Sequence, residues 1–276
     1  MVTRRTLLAS ALAAVPLSAK TWGFHLGVTD WNLKQAGKIE AVGLASRLGF
    51  EGVQVSLGRK PVDDKLPLDN SALQEQFLAE AKKYNIAFAG TCLDILHVNY
   101  LKNDKLGQKW VADGIPITKK LNAKVMLLPF FGKGALATPE EMDYVGDVLR
   151  ELGTEAEKAG VILGLEDTIS APDNVRIMER SRPKAVKTYY DVGNSTKAGF
   201  HPPREIRWLG KNRICQVHLK DNPNYLGEGK IEFLPILKAL REISYSAFAN
   251  LETDAPSKSV EADMKRNLTY LRKLMA

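Results

Sequence analysis

Four short apolar runs, each ending on a side chain able to hold a metal ion, decide how this chain reads. They are Val161-Ile162-Leu163-Gly164-Leu165 before Glu166, Val186-Lys187-Thr188-Tyr189-Tyr190 before Asp191, Ile214-Cys215-Gln216-Val217 before His218, and Phe248-Ala249-Asn250-Leu251 before Glu252. Each has the length of a buried strand and is rich in β-branched or aromatic residues. The steps between the terminal residues are 25, 27 and 34 positions. One strand, one loop and one helix fill such a step, which is the βα unit of a parallel sheet.

Strand alternation assigns faces. Glu166 shares a side with Gly164 and Ile162, Asp191 with Tyr189, His218 with Gln216, and Glu252 with Asn250. The opposite side, including Leu163, Leu165, Val217, Cys215 and Leu251, is apolar and suits packing against helices. In a closed barrel the polar side faces inward. The four chain-end residues then converge at the carboxyl end of the strands, where barrel active sites sit.

Outward from this stretch the alternation continues. Strands are expected at 24–28, 52–57, 86–92 and 124–130, ahead of the four runs above. Helices are expected at about 36–48, 69–84, 105–121, 138–159, 172–182, 203–211, 232–243 and 258–274. Thr138-Pro139-Glu140-Glu141 reads as a helix start: an N-cap, a first-turn proline, and acids at the positive end of the dipole. Eight strand–helix repeats in residues 20–276 match one (β/α)₈ TIM barrel. A doubly wound open sheet is the alternative, but eight regular repeats and four convergent ends favour closure.

Residues 1–19 read as a signal peptide: Arg4-Arg5, then an apolar run from Leu7-Leu8 to Ala19. The arginine pair gives it a twin-arginine character, which points to a periplasmic or secreted protein, or a cytoplasmic one if the leader does not function. No stretch has the ~20 apolar residues of a membrane span. Without Arg4 and Arg5 the formal charge falls from +7 to +5. The remaining basic residues are spread over solvated helix faces such as Lys82-Lys83 and Lys119-Lys120, which argues against a nucleic-acid partner. Cys92 and Cys215 are too few for a disulfide framework and fall on strands far apart around a barrel. A homo-oligomer is compatible with the sequence.

Three carboxylates and one imidazole make an oxygen-rich donor set. Glu166, Asp191, His218 and Glu252 thus suit one divalent ion, Mn²⁺, Mg²⁺ or Co²⁺, with Zn²⁺ a further candidate. Around them, Lys220 shares the inward side of His218, and His97 follows the third strand. Trp31, Phe130 and Phe131 follow strands one and four, where an aromatic face could meet a ligand. Gly227-Glu228-Gly229 lacks the length of a phosphate cradle and reads as a turn.

Leu163-Gly164-Leu165-Glu166, Tyr190-Asp191-Val192-Gly193-Asn194, Val217-His218-Leu219-Lys220-Asp221, Gly227–Phe233 and Leu251-Glu252 resemble the xylose isomerase-like barrels of the sugar phosphate isomerase/epimerase group. That group includes ketose 3-epimerases and inosose dehydratases, and the resemblance covers nearly the whole chain after residue 19. It implies that Glu166, Asp191, His218 and Glu252 bind one metal. It also implies that Glu166 and Glu252 move protons beside a carbonyl of a sugar or keto-sugar through an enediolate. The implied activity is isomerisation or epimerisation. A lyase or dehydratase on an inosose or 3-keto-glycoside, or a barrel that binds sugar without turnover, are the alternatives. The chain departs from ketose 3-epimerases where it has Pro172, Asn194 and Asn224 in place of their Glu, His and Arg. A ketohexose substrate is therefore in doubt, while Asn194 stays a candidate substrate contact. With four histidines in all, the chain lacks the ligands that the group's three-metal DNA-repair enzymes need.

Overall fold

The computed structural model describes residues 22–276; the leader expected at 1–19 lies outside them. Eight parallel strands close into one barrel in chain order. They are β1 (His25–Thr29), β2 (Gly52–Ser56), β3 (Ala87–Cys92), β4 (Val125–Pro129), β5 (Ile162–Glu166), β6 (Val186–Asp191), β7 (Ile214–Leu219) and β8 (Phe248–Leu251). The outer ring contains α1 (Glu40–Leu48), α2 (Ser71–Tyr84), α3 (Lys105–Lys120), α4 (Pro139–Ala159) and α5 (Ala171–Ser181). It continues with the short α6 (Val192–Lys197), α7 (Pro202–Arg213), α8 (Phe233–Glu242) and α9 (Val260–Met275). Among the described residues no helix is long and apolar enough to cross a membrane.

Local chemistry accounts for the helix ends. Thr138 and Glu141 form a reciprocal capping box on α4, whose chain leaves through Gly160 at φ 74°. The first helix starts later than its apolar pattern suggests, at Glu40. Lys34 and Gly37 take positive φ values of 59° and 66°, which a helix cannot contain. The buried Asp30 carboxylate holds this turn, accepting from Gly37 N at 2.7 Å and from Ser56 N at 3.0 Å. The sequence pattern also missed α6. Asp191 Oδ1 accepts from Asn194 N at 2.7 Å and so starts a helix on the residue directly after β6.

The barrel divides its apolar residues as alternation requires. Val28, Val53, Leu163, Leu165, Val217, Leu219 and Leu251 point outward and pack with the helices in one continuous core. Inside, a smaller cluster holds Cys92, Val125, Leu127, Tyr189 and Cys215. Cys215 is a correction, since simple alternation turns it outward. The register between β6 and β7 slips between Thr188 and Tyr189, pairing Thr188 with Ile214 and Tyr189 with Gln216. The extra residue, Cys215, then faces the lumen. Both cysteines are buried free thiols.

Above and among this cluster lies a buried polar layer. Tyr189 Oη donates to Gln54 Oε1 at 2.9 Å, and Asn250 Nδ2 donates to Tyr189 Oη at 2.8 Å and Gln216 Oε1 at 3.1 Å. Gln216 Nε2 closes the layer on the Ala89 carbonyl. Gly27 is required beside it, because a Cβ there would stand 2.0 Å from Asn250 Oδ1. One atom of the layer, Asn250 Oδ1, is buried without a partner among the described residues, and the layer forms the floor of the barrel mouth.

Asp30→Ala would leave the buried Ser56 N–H and the half-buried Gly37 N–H without their acceptor, at a cost of about 1–3 kcal/mol each. Denaturant unfolding of the purified variant should show a loss of roughly 2–5 kcal/mol; unchanged stability would mean that water replaces the carboxylate.

Candidate active site at the barrel mouth

Glu166, Asp191 and His218 sit on the last turns of β5, β6 and β7, and Glu252 follows β8 by one residue. Asp191 and His218 are direct register partners. Glu252 stays in the ladder, its N–H donating to Leu219 O at 3.1 Å. Each of the four offers one ligand atom, and these atoms lie within 4.8 Å of one another. Metal–ligand bonds of about 2.0–2.2 Å put opposite ligands just over 4 Å apart, so one ion could reach all four.

His218 is wholly buried and meets the three acids through Nδ1. Glu166 Oε1 lies at 2.8 Å, Glu252 Oε2 at 3.4 Å and Asp191 Oδ2 at 3.7 Å. Lys220 Nζ reaches Glu252 Oε2 at 2.5 Å and Asp191 Oδ2 at 2.7 Å. The Lys220 stem passes over Gly193, where a Cβ would come within 2.5 Å of Lys220 Cγ. Trp31 Nε1 donates to Glu252 Oε1 at 3.0 Å.

Mutual repulsion and burial govern the charges. Burial pushes the Glu166 carboxyl up to about 7, the charge of Glu252 adding to it and His218 opposing. Burial also acts against the His218 imidazolium, but Glu252 and Glu166 outweigh it and raise the ring to about 10. For Asp191, burial is overcome by Lys220 and His218, which hold the carboxyl well below its ordinary range. Lys220 is raised by the same acids, against its own desolvation. Two cations thus face three acids, and the donor set is one that a divalent ion satisfies. Asp191 Oδ2 points the same way: it is buried and, despite its 2.7 Å approach to Lys220, makes no hydrogen bond of acceptable geometry.

A cavity of about 390 Å³ opens over this cluster. Glu166 and Glu252 line it, with Trp31, His97, Asn194 and Lys220, whereas Asp191 and His218 do not. His97 lies on a 3₁₀ turn after β3 and stacks on Phe131, ring centroids 6.2 Å apart. Asn194 brings a buried, unpartnered Nδ2. Phe130 does not belong to the site. Alternation along the end of β4 turns it into the outer core at 1 % exposure, and its neighbour Phe131 lines the cavity instead.

Four polar residues escaped the sequence reading. Arg59 and Asp94 line the cavity after β2 and β3, and Ser56 Oγ donates to Asp94 Oδ2 at 2.5 Å. Gln54, on β2, lies beneath His218, its Oε1 at 2.8 Å from the ring Nε2. Gln54 and Ser56 carried a signal, as polar residues alternating with Val53 and Val55 along β2.

Comparison with known proteins agrees with this architecture. A profile described as "Xylose isomerase-like TIM barrel" matches residues 42–274. The 2-epi-5-epi-valiolone 7-phosphate 2-epimerase of an Actinoplanes species is 24% identical over 200 residues, 72% of this chain and 73% of the relative. The inosose dehydratase of Geobacillus thermodenitrificans is 34% identical over 128 residues, 41% of each chain. Among solved structures, the D-psicose 3-epimerase of Clostridium cellulolyticum H10 superposes with a TM-score of 0.75 at 16% identity, over 91% of this chain and 99% of the other. The last likeness is one of fold. An epimerase and an inosose dehydratase are thus among the relatives of this chain, and the profile spans most of its length: it belongs to the xylose isomerase-like TIM barrel family.

Proposed function

We propose that the protein is a divalent-metal-dependent isomerase or epimerase that moves a proton beside the carbonyl of a sugar or keto-sugar. One observation carries this reading: of the four clustered residues, the two glutamates face the cavity, and Asp191 and His218 lie beneath it. The lower pair can hold an ion without touching substrate, and the upper pair can do both.

A bound cation would supply positive charge to the substrate's carbonyl oxygen, worth several kcal/mol as that oxygen becomes anionic. The chain supplies the rest. One glutamate takes the proton from the carbon next to the carbonyl, and the C–H electron pair moves into an enediolate. The other returns a proton to the opposite face of that carbon, inverting it. Trp31 orients Glu252 through its indole N–H. Lys220 is placed to hold a substrate oxygen, with Asn194 Nδ2 free to donate to another. His97 and Phe131 form an aromatic wall for the sugar ring.

Asp94 favours a second reading. It lies across the mouth from β7, and burial, against the Ser56 hydrogen bond, raises its carboxyl. A protonated Asp94 could give its proton to a departing β-hydroxyl after a glutamate removes the α-proton, releasing water. The same residues would then act as a dehydratase. Incubating the metal-loaded protein in D₂O with keto-sugars, inososes and 3-keto-glycosides, read by NMR, separates the two readings. Deuterium at one inverted carbon supports epimerisation, loss of water supports elimination, and binding without either supports a sugar-binding barrel.

Metal content tests the lower pair. His218→Ala and Asp191→Ala should each lower the bound divalent metal well below one per chain by elemental analysis. Full occupancy in both would refute the site.

Glu252→Gln tests the upper pair, keeping size and one oxygen donor but removing the base. Turnover should fall on the order of 10²–10⁴-fold, with weakened but measurable metal binding. Full activity in Glu252→Gln or Glu166→Gln would move the proton transfer to another group, Lys220 first.

We also propose that the chain is exported. Arg4-Arg5 before an apolar run is the motivating feature, and a folded-protein route suits an enzyme loaded with metal before export. Replacing both arginines with lysine should leave the protein in the cytoplasm by cell fractionation; undiminished export would exclude the twin-arginine route.

A further inference from the structure

We propose that Gln54 is a positioning residue that decides which ring nitrogen of His218 is offered to the metal. The inference rests on the metal reading of the site, and its test separates the two. Gln54 comes from β2, a strand that supplies none of the four ligands, and it is wholly buried.

Its amide can stand only one way round. Gln54 Nε2 faces the Thr91 carbonyl at 3.4 Å. Reversal would set two acceptor oxygens against each other there, and would turn the NH₂ toward His218. Gln54 Oε1 therefore faces His218 Nε2 at 2.8 Å and Tyr189 Oη at 2.9 Å. Tyr189 cannot reverse its role either, because its oxygen already accepts from Asn250 Nδ2 at 2.8 Å. Its own proton goes to Gln54.

A carbonyl oxygen that accepts from both neighbours requires His218 Nε2 to carry a hydrogen. The lone pair of the neutral ring is then on Nδ1, the nitrogen that faces Glu166, Glu252 and Asp191. The chain Asn250–Tyr189–Gln54–His218 thus sets the ring plane and, for the neutral ring, the tautomer. This is the role that an outer acceptor usually plays behind a metal-binding histidine. Here the acceptor is a neutral amide, so it adds no fourth negative charge beneath three carboxylates.

The test is Mn²⁺ binding by calorimetry to the full chain and its variants, with no substrate present. Gln54→Leu removes the acceptor and should weaken Mn²⁺ binding by about 10–100-fold. Gln54→Glu keeps an acceptor at the same point and should recover most of the loss. Gln216→Leu is the control: it disturbs the same buried layer through Asn250 but does not reach His218, and should weaken Mn²⁺ binding far less than Gln54→Leu does. In the Zn²⁺-loaded parent, ¹⁵N NMR of the His218 ring should show Nε2 protonated and Nδ1 on the metal. Unchanged affinity in Gln54→Leu, an equal loss in Gln216→Leu, or a ring protonated on Nδ1 would each overturn the role of Gln54. A parent protein that binds no Mn²⁺ would instead overturn the metal reading itself, and this inference with it.

Discussion

Three carboxylates brought within a few ångströms of one another, with little water to screen them, form the constraint on which this molecule turns. Like charges at such distances repel strongly where the effective dielectric is low. The fold answers with one imidazole and one ammonium: His218 Nδ1 lies against Glu166, and Lys220 bridges Asp191 and Glu252. Each of these cations is held in place by something further out. Gly193 gives the lysine stem its path, and Gln54 accepts from the far side of the histidine ring. The charge is balanced only locally, and Asp191 Oδ2 still lacks a hydrogen bond. A site of this kind is costly for an empty barrel and favourable for one that holds a cation.

Depth sorts the four residues into two jobs. His218 and Asp191 are at the floor, fixed by the polar layer and by the start of α6. Glu166 and Glu252 stand at the level of the cavity, where a ligand's carbon can approach them. The vertical order follows from parallel strands whose register is staggered around the barrel, with Asp191 opposite His218 and the chain of β8 running one residue further to Glu252. The cavity's other wall, with Arg59, Asp94 and His97, comes from the loops after β2 and β3. Those loops differ in kind from the strand ends: their residues line the cavity and contribute none of the four clustered side chains. Substrate choice within such a barrel is accordingly a property of the loops.

The cluster of three acids and one histidine was legible in the amino-acid order because each of its members ends a strand. A period of two and an apolar run are enough to place Glu166, Asp191, His218 and Glu252 on one side. They also predict the polar layer of Tyr189, Gln216 and Asn250 below. The same rule failed at Cys215, where a register slip against β6 turns the residue inward. At the end of β4, a choice between two neighbouring phenylalanines depends on which one the last pleat points into the lumen. Asp94 and Arg59 carried no pattern, since loop residues have no period to read. Helix α6 was hidden because its nucleating carboxylate, Asp191, reads in the sequence as the end of a strand and as a candidate ligand.

The sequence by itself determined the closed parallel architecture and the four convergent residues, because local periodicity and strand-end position are written in the order of residues. What only the tertiary structure decided is how residues distant in the chain share the lumen. Gln54 reaches His218 across 164 positions, Tyr189 reaches Gln54 across 135, and Trp31 reaches Glu252 across 221. Those meetings depend on barrel closure, stagger and bulges, which set the height of one strand against another. No single strand encodes its height relative to a neighbour; the packed sheet does.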